Sequence, residues 1–288
     1  MLPSVLVSIR PTPAASSPSD GSPAHGCSPG GAAGGPAGAG PALRRALERN
    51  LAAVRQRLAA AAGTAQAAPA LVAVTKAVPD EVAEAVLALG CTDLGENRAD
   101  PFVRRARRFS EAGLRPTWHF IGHLQRNKVR RVLEHAHVLH SVDSERLADT
   151  VCRISTETGR PVEVFVQVNL TGEEEKHGLP STEAAGLVRR MALSPGVGVR
   201  GIMCMGPLRE HRSTREVFEE AGALARRLES EVGTSLVNGR CELSMGMSGD
   251  AELAAGLGSD LVRIGSALYR DLPGSDDPAA ALGGPADA

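Results

Sequence analysis

Lys76 follows the apolar run LVAVT and precedes Ala77, Val78 and Pro79. A primary amine directly after a core strand is a candidate for a lowered pKa and for Schiff-base chemistry with an aldehyde. The plain alternative is a lysine snorkelling from the strand end into solvent. A second group of residues lies far along the chain. Ser244, Met245, Gly246 and Ser248 stand in LSMGMSGD, and Arg263, Gly265 and Ser266 stand in RIGSALYR. Small residues let backbone N–H groups approach an anion, and serine hydroxyls add donors. Singly, each such turn is an ordinary turn or cap. With Arg263 and a lysine on the same rim, they become an amine facing an anion site.

The elements that must bring these groups together are legible in the hydrophobic pattern. PALRRALERNLAAVRQRLAAAA carries Leu43, Leu47, Leu51, Val54 and Leu58 at three- and four-residue spacing, which predicts an amphipathic helix ahead of the first strand. Strand-like runs then follow at 71–75, 92–94, 118–121, 138–142, 162–168, 198–203, 241–244 and 261–264. Helical patterns begin near Pro79, Arg98, Gln125, Asp143, Ser181, Ser213 and Ser248, with a short last helix from Ser266. Eight strands, each followed by helix, match a closed (β/α)8 TIM barrel. An open doubly wound sheet is the rival, but no GxGxxG follows the first strand and the chain does not split into two halves.

In a barrel the strand C-terminal ends share one face, and the turns after strands seven and eight often bind phosphate. The residues at those ends include Lys76, the GEN at 95–97, HFIGHLQRNK at 119–128, Asp143, NLTGEEEKHG from Asn169, MCMGP from Met203, and the two Ser/Gly turns. A lysine across the mouth from a phosphate clamp suits pyridoxal 5'-phosphate, which needs an amine for its aldehyde and an anion site for its phosphate.

Composition narrows the classes. With 288 residues and 42% apolar content the chain can bury a sizeable core, and with 2% aromatics that core must be aliphatic. A net charge of -1 argues against a nucleic-acid or anionic-membrane footprint, and no apolar run is long enough for a membrane span. Cys27, Cys91, Cys152, Cys204 and Cys241 include no CxxC pair and are odd in number, which reads as reduced thiols in a cytoplasmic protein. The apolar stretch in MLPSVLVSIR is too short, and interrupted by Pro3, for a secretory signal. Residues 1–41 and 273–288, rich in Pro, Gly, Ala and Ser, are expected to be disordered tails around a barrel at 42–272.

AVTK with Pro79, GEN, WHFIGHLQRNK, the K-x-G at Lys176 and Gly178, LSMGMSGD and VRIGSALY, in this order, resemble the pyridoxal phosphate homeostasis (YggS/PROSC) family over roughly 43–271. The resemblance implies a single barrel similar to the alanine racemase N-terminal domain, binding pyridoxal phosphate. It implies that Lys76 is the Schiff-base lysine and that Asn97 lies near the cofactor. It also implies that Ser244 and Met245 form the strand-seven rim, and Arg263, Gly265 and Ser266 the strand-eight end of the site. Two positions depart from the family's pattern: Asp100 where a glutamine usually follows GEN, and Arg270 where a glycine usually follows the last aromatic.

Racemases resembling this barrel class use a second base, a tyrosine from a separate C-terminal β domain of a partner subunit. The low-complexity residues after Asp271 are not expected to form such a domain, and the single tyrosine, Tyr269, reads as packing. The expectation is therefore a monomeric protein that holds, buffers or delivers pyridoxal phosphate, with apo-enzymes as partners. The alternative is a slow amino-acid racemase or lyase on the same cofactor. The arginines at 104–108 and 126–131 read as a solvated helix face, not a nucleic-acid surface. His119, His123, His135, His137 and His140 read as structural with no metal, because HxH is not a zinc spacing on a helix. Lys128 and Lys176 match family motifs near the mouth, where they read as solvated lysines, with transfer of the cofactor through them as the alternative.

Overall fold

The computed structural model describes residues 40–64, 66–173, 175–208 and 212–273. The tails expected to be disordered lie outside these residues except at their inner edges. Eight parallel strands close into a barrel in chain order: β1 (Ala70–Val74), β2 (Asp93–Glu96), β3 (Thr117–Phe120), β4 (Val138–Val142), β5 (Val162–Gln167), β6 (Val197–Met203), β7 (Glu242–Ser244) and β8 (Leu261–Ile264). Helix α1 (Pro41–Ala62) precedes β1. The intervening helices are α2 (Asp80–Ala88), α3 (Ala99–Glu111), α4 (Val129–Leu133), α5 (Glu145–Thr158), α6 (Ala184–Ala192), α7 (Thr214–Val232) and α8 (Ala251–Gly256). The TIM-barrel expectation holds.

Helix α1 starts with Pro41, whose fixed φ suits the first helical position, and buries Leu47, Leu51, Val54 and Leu58 as one stripe. That stripe packs against α8 and α2 across the seam where the barrel closes. Helix α3 buries Phe102, Val103, Ala106 and Phe109, and Phe102 meets Trp118 of β3 edge-on with ring centres 5.6 Å apart. Each buried phenylalanine contributes about 1.5–3 kcal/mol. Helix α7 begins in a capping box, in which Ser213 Oγ accepts from Glu216 N and Glu216 Oε2 accepts from Ser213 N.

The strands alternate between the two sides of the sheet, with register shifts in the β4–β5 and β5–β6 pairings. Ala73, Leu94, Phe120, Leu139, Val164, Ile202 and Val262 face the helices in the main core. Val72, Val138, Phe165, Met203 and Leu261 form a separate apolar layer, and it is these strands' alternate side that fills the barrel.

One expected element is absent. From Gly265 to Tyr269 the chain makes tight turns, Leu268 N donating to Gly265 O and Tyr269 N to Ser266 O, and no helix follows among the described residues. The side-chain amide of Asn50 on α1 donates to Leu268 O and Arg270 O at 3.0 and 2.8 Å, so those carbonyls are satisfied from outside rather than by a further helical turn. Arg270 is exposed and Asp271 adopts φ 54, which ends the turn.

Candidate functional site

Closure of the barrel sets β1 beside β8, with Ala73 opposite Ile264. Lys76 lies three residues past Ala73, and Ser266 two past Ile264, so both sit on one rim on strands about 4.8 Å apart. A Cβ placed on Gly265 would lie 3.5 Å from Val74, within ordinary contact. Lys76 is exposed, and its ammonium has no hydrogen-bond or ion-pair partner among the described residues.

The loop that carries Lys76 is clamped from α3. The Arg105 guanidinium donates to Thr75 O (2.6 Å) and Val78 O (2.5 Å), the carbonyls on either side of the lysine. It also pairs with Asp80 (2.6 Å) and with Glu96 (2.5 Å), and Thr75 Oγ1 donates to the same Glu96 oxygen at 2.7 Å. Glu96 is 2% exposed. Its pKa is raised because burial outweighs the pull of Arg105, whereas Arg105, despite burial, is raised by its two carboxylates. Arg105 is thus no part of the solvated face on which the sequence pattern places it; Arg104, Arg107 and Arg108 are exposed as expected.

Asn97 follows β2, and its buried Oδ1 has no hydrogen-bond partner among the described residues. Gly122 presses on it from the next loop: a Cβ there would fall 2.1 Å from Asn97 O, so only glycine lets the two loops meet.

Ser244 and Arg263 lie inside the barrel, 0% and 5% exposed. Arg263 Nη1 donates to Ser244 Oγ (2.7 Å) and to Ser244 O (2.8 Å), and Nη2 to Cys204 O (3.2 Å). No carboxylate pairs with Arg263 among the described residues, and burial lowers its pKa. Ser244 opens a chain that sequence reading missed. Ser244 Oγ meets His140 Nδ1 at 2.8 Å, His140 Nε2 meets His119 Nδ1 at 2.8 Å, and His119 Nε2 meets Asp93 Oδ1 at 2.9 Å. With Asp93 accepting, one direction satisfies every link: Arg263 donates to Ser244, Ser244 to His140, His140 to His119, and His119 to Asp93. Burial, then the neighbouring His119, Arg263 and Arg200 charges, holds His140 well below the usual histidine pKa, so it is neutral. Burial works to raise Asp93, but the hydrogen bond and charge of His119 outweigh it and its pKa is lowered. The only sequence signal for this chain was period-two alternation, which puts His119, His140 and Ser244 on the inward side of their strands.

The strand-eight turn is open. Gly265 N donates to Ser248 Oγ at 3.3 Å, while neither the amide nor the hydroxyl of Ser266 has a partner among the described residues. Gly246 shapes the strand-seven turn at φ +96, where a Cβ would lie 2.5 Å from Ala254 Cβ. Met245 stands apart from the others, fully buried in the main core with its amide donating to Leu261 O at 3.2 Å.

Neither mouth lysine beside Lys76 is free in solvent. Lys176 is buried against Glu173 at 2.7 Å and donates to Gly206 O. Lys128 pairs with Asp100 at 3.1 Å, and Arg131 with the same carboxylate at 2.6 Å, so Asp100 has cationic partners of its own. His119 and His140 are structural as expected, and His137 Nδ1 accepts from Trp118 N at 2.9 Å. His123 differs, being half exposed at the mouth. The four described cysteines are free thiols, and burial pushes Cys204 up to about 12. No helix among the described residues is long and apolar enough to cross a membrane.

Comparison with known proteins agrees with this fold. Residues 46–273 match the alanine racemase N-terminal domain family. The pyridoxal phosphate homeostasis protein of Escherichia coli strain K12 is 36% identical over 226 residues, 76% of this chain and 94% of that protein. The structure of PipY from Synechococcus elongatus PCC7942 with PLP bound is 30% identical, covers 77% of this chain and 99% of its own, and superposes with a TM-score of 0.67. Alanine racemase from Corynebacterium glutamicum, 19% identical with a TM-score of 0.56 over 78% of this chain and 60% of its own, shares the fold.

Proposed function

We propose that this chain, which belongs to the pyridoxal phosphate homeostasis protein family, binds pyridoxal 5'-phosphate at the C-terminal mouth of its barrel. Lys76 holds the cofactor as a Schiff base, and the protein buffers or delivers it in the cytoplasm, as a monomer, to apo-enzymes. The observation that carries this reading is the pairing, on hydrogen-bonded strands, of an exposed ammonium with a Ser266 amide and hydroxyl, all three without partners among the described residues. The residues present fit the group on two further counts: among the described residues Asn97 Oδ1 is buried without a partner, and Arg263 is a buried cation without a carboxylate. When bound, the cofactor supplies an aldehyde for an amine and a phosphate for an anion site.

Lys76 presents the amine, and Arg105 fixes the loop that carries it through the carbonyls on both sides. The Ser266 amide and hydroxyl, with Ser248 and Gly265, form the phosphate cradle. Ser244 and the histidine chain behind it hold the Arg263 guanidinium in place. Absence of robust turnover is supported by Tyr269, the chain's single tyrosine, which is 1% exposed with its hydroxyl raised in pKa by burial and so offers no second base.

The test is the visible absorbance of purified protein reconstituted with cofactor, then borohydride reduction and peptide mapping. The label is expected on Lys76, and Lys76→Ala is expected to lose the imine band while keeping weaker, phosphate-anchored binding. An intact band in that variant removes Lys76 from the role. Turnover of D- or L-amino acids that disappears with Lys76 would replace the carrier reading by a slow racemase or lyase.

A further inference from the structure

Across the mouth from β1, β7 and β8, the loops after β3, β4 and β5 bring His123, Asp143 and His177 together, with one donor atom of each within 4.8 Å of the others. His123 Nδ1 is 3.2 Å and His177 Nδ1 3.9 Å from the same oxygen, Asp143 Oδ2. The two imidazoles stack at 4.2 Å with 18° between their planes, so a shared ion requires one ring to rotate about its Cβ–Cγ bond, for which their half-exposed positions leave room. Ligands of a tetrahedral zinc ion at about 2.0–2.1 Å from the metal stand roughly 3.3 Å from one another, and these spacings bracket that value.

The backbone under each donor is held. Gly122, next to His123, abuts Asn97, and its carbonyl accepts from Ser141 Oγ. Asp143 precedes Ser144, the N-cap of α5, and its side chain is 8% exposed. The His177 carbonyl accepts from Gln167 Nε2 at 2.9 Å, Lys176 is locked to Glu173, and Gly178 turns at φ +136 where a Cβ would lie 2.7 Å from Asn169 N. Only the imidazoles themselves are open, 48% and 50% exposed. His123 and Asp143 line a cleft of about 770 Å³ together with Arg126 and Arg146, neither of whose guanidinium groups has a partner among the described residues.

We propose that His123, Asp143 and His177 form a binding site for a borderline first-row divalent cation of the zinc type. Two imidazoles and one carboxylate select such an ion over magnesium or calcium, which prefer all-oxygen sets. The remaining coordination position opens on the arginine-flanked cleft, which suits hydroxide or another oxyanion as the completing ligand. Sequence spacing hid the set because its donors come from three loops and include no local His pair.

Titration calorimetry of untagged protein with zinc, and the visible absorbance of a cobalt(II) complex, test the site. One ion per chain is expected, with cobalt absorbance of tetrahedral or five-coordinate type. Affinity should fall at least about tenfold in His123→Ala, His177→Ala and Asp143→Asn, with circular dichroism unchanged since the imidazoles are half exposed. Lys76→Ala should bind the ion as the parent does, which separates this proposal from the cofactor reading. Failure of the parent protein to bind, or one-to-one binding that survives in the His123→Ala/His177→Ala double variant, overturns the proposal.

Discussion

Replacing Arg105 by methionine tests the clamp beneath Lys76. The substitution keeps a long apolar stem but removes the donors to Glu96, Asp80, Thr75 O and Val78 O. Glu96, 2% exposed, would keep one of its present partners, Thr75 Oγ1. Breaking a buried pair by removing one member costs about 3–5 kcal/mol, against a total stability of roughly 5–15 kcal/mol. The loss should depend on pH with a definite sign. Glu96 already has a raised pKa through burial, and loss of Arg105 removes the main opposing influence. A carboxyl raised in the folded state contributes stability that is complete below its unfolded pKa and is lost as pH rises through the folded value. Arg105→Met should therefore be most destabilised at neutral pH and recover part of the deficit on mild acidification. Urea unfolding at pH 7.5 and pH 5, followed by fluorescence of the single tryptophan Trp118, 4% exposed, measures it. Glu96→Gln in the same background should restore much of the loss, because a neutral amide no longer needs the cation. A deficit below about 1 kcal/mol, or one with the same size at both pH values, would refute the reasoning.

Three further outcomes are expected. Gly246→Ala, which would place a methyl 2.5 Å from Ala254 Cβ at φ +96, should cost about 1–3 kcal/mol by denaturation and weaken cofactor retention by distorting the strand-seven turn. Burial depresses the pKa values of His140, His137 and His135, so the unfolded chain takes up protons that the folded chain refuses. Stability should fall below about pH 6.5, by up to about 1.4 kcal/mol per pH unit for each histidine involved. His140→Leu should flatten that slope while lowering stability at neutral pH by about 1–3 kcal/mol through the partners it leaves at His119 and Ser244. An unchanged slope in His140→Leu would remove His140 from the account.

The alternation of strands and helices was open to reading because each element has its own period, 2 or 3.6, written in consecutive residues. The same local signal placed Lys76 at a strand end and the Ser/Gly turns after the last two strands, and the order of motifs carried the family. It could not separate Arg105 from Arg104, Arg107 and Arg108, since whether a helical arginine meets water or a buried carboxylate depends on what stands opposite. It gave Ser266 a helix because nothing near it in sequence discloses that Asn50, on α1, satisfies the carbonyls of Leu268 and Arg270. Lys176 looked solvated until Glu173 and the Gly206 carbonyl closed on it.

Residue type and spacing by themselves thus determined a (β/α)8 barrel and put Lys76 and the two Ser/Gly turns at the C-terminal ends of its strands. Tertiary structure alone decided the register in which β1 pairs with β8, Ala73 opposite Ile264, and so how closely Lys76 and the Ser266 turn stand on their shared rim. It alone threaded Asp93, His119, His140 and Ser244 into one hydrogen-bonded line to Arg263, and gathered His123, Asp143 and His177 from three loops. The reason is physical. Hydrophobic periodicity acts over a few neighbouring residues, whereas hydrogen bonds and charge pairs inside a closed barrel join residues whose separation along the chain carries no trace of their separation in space.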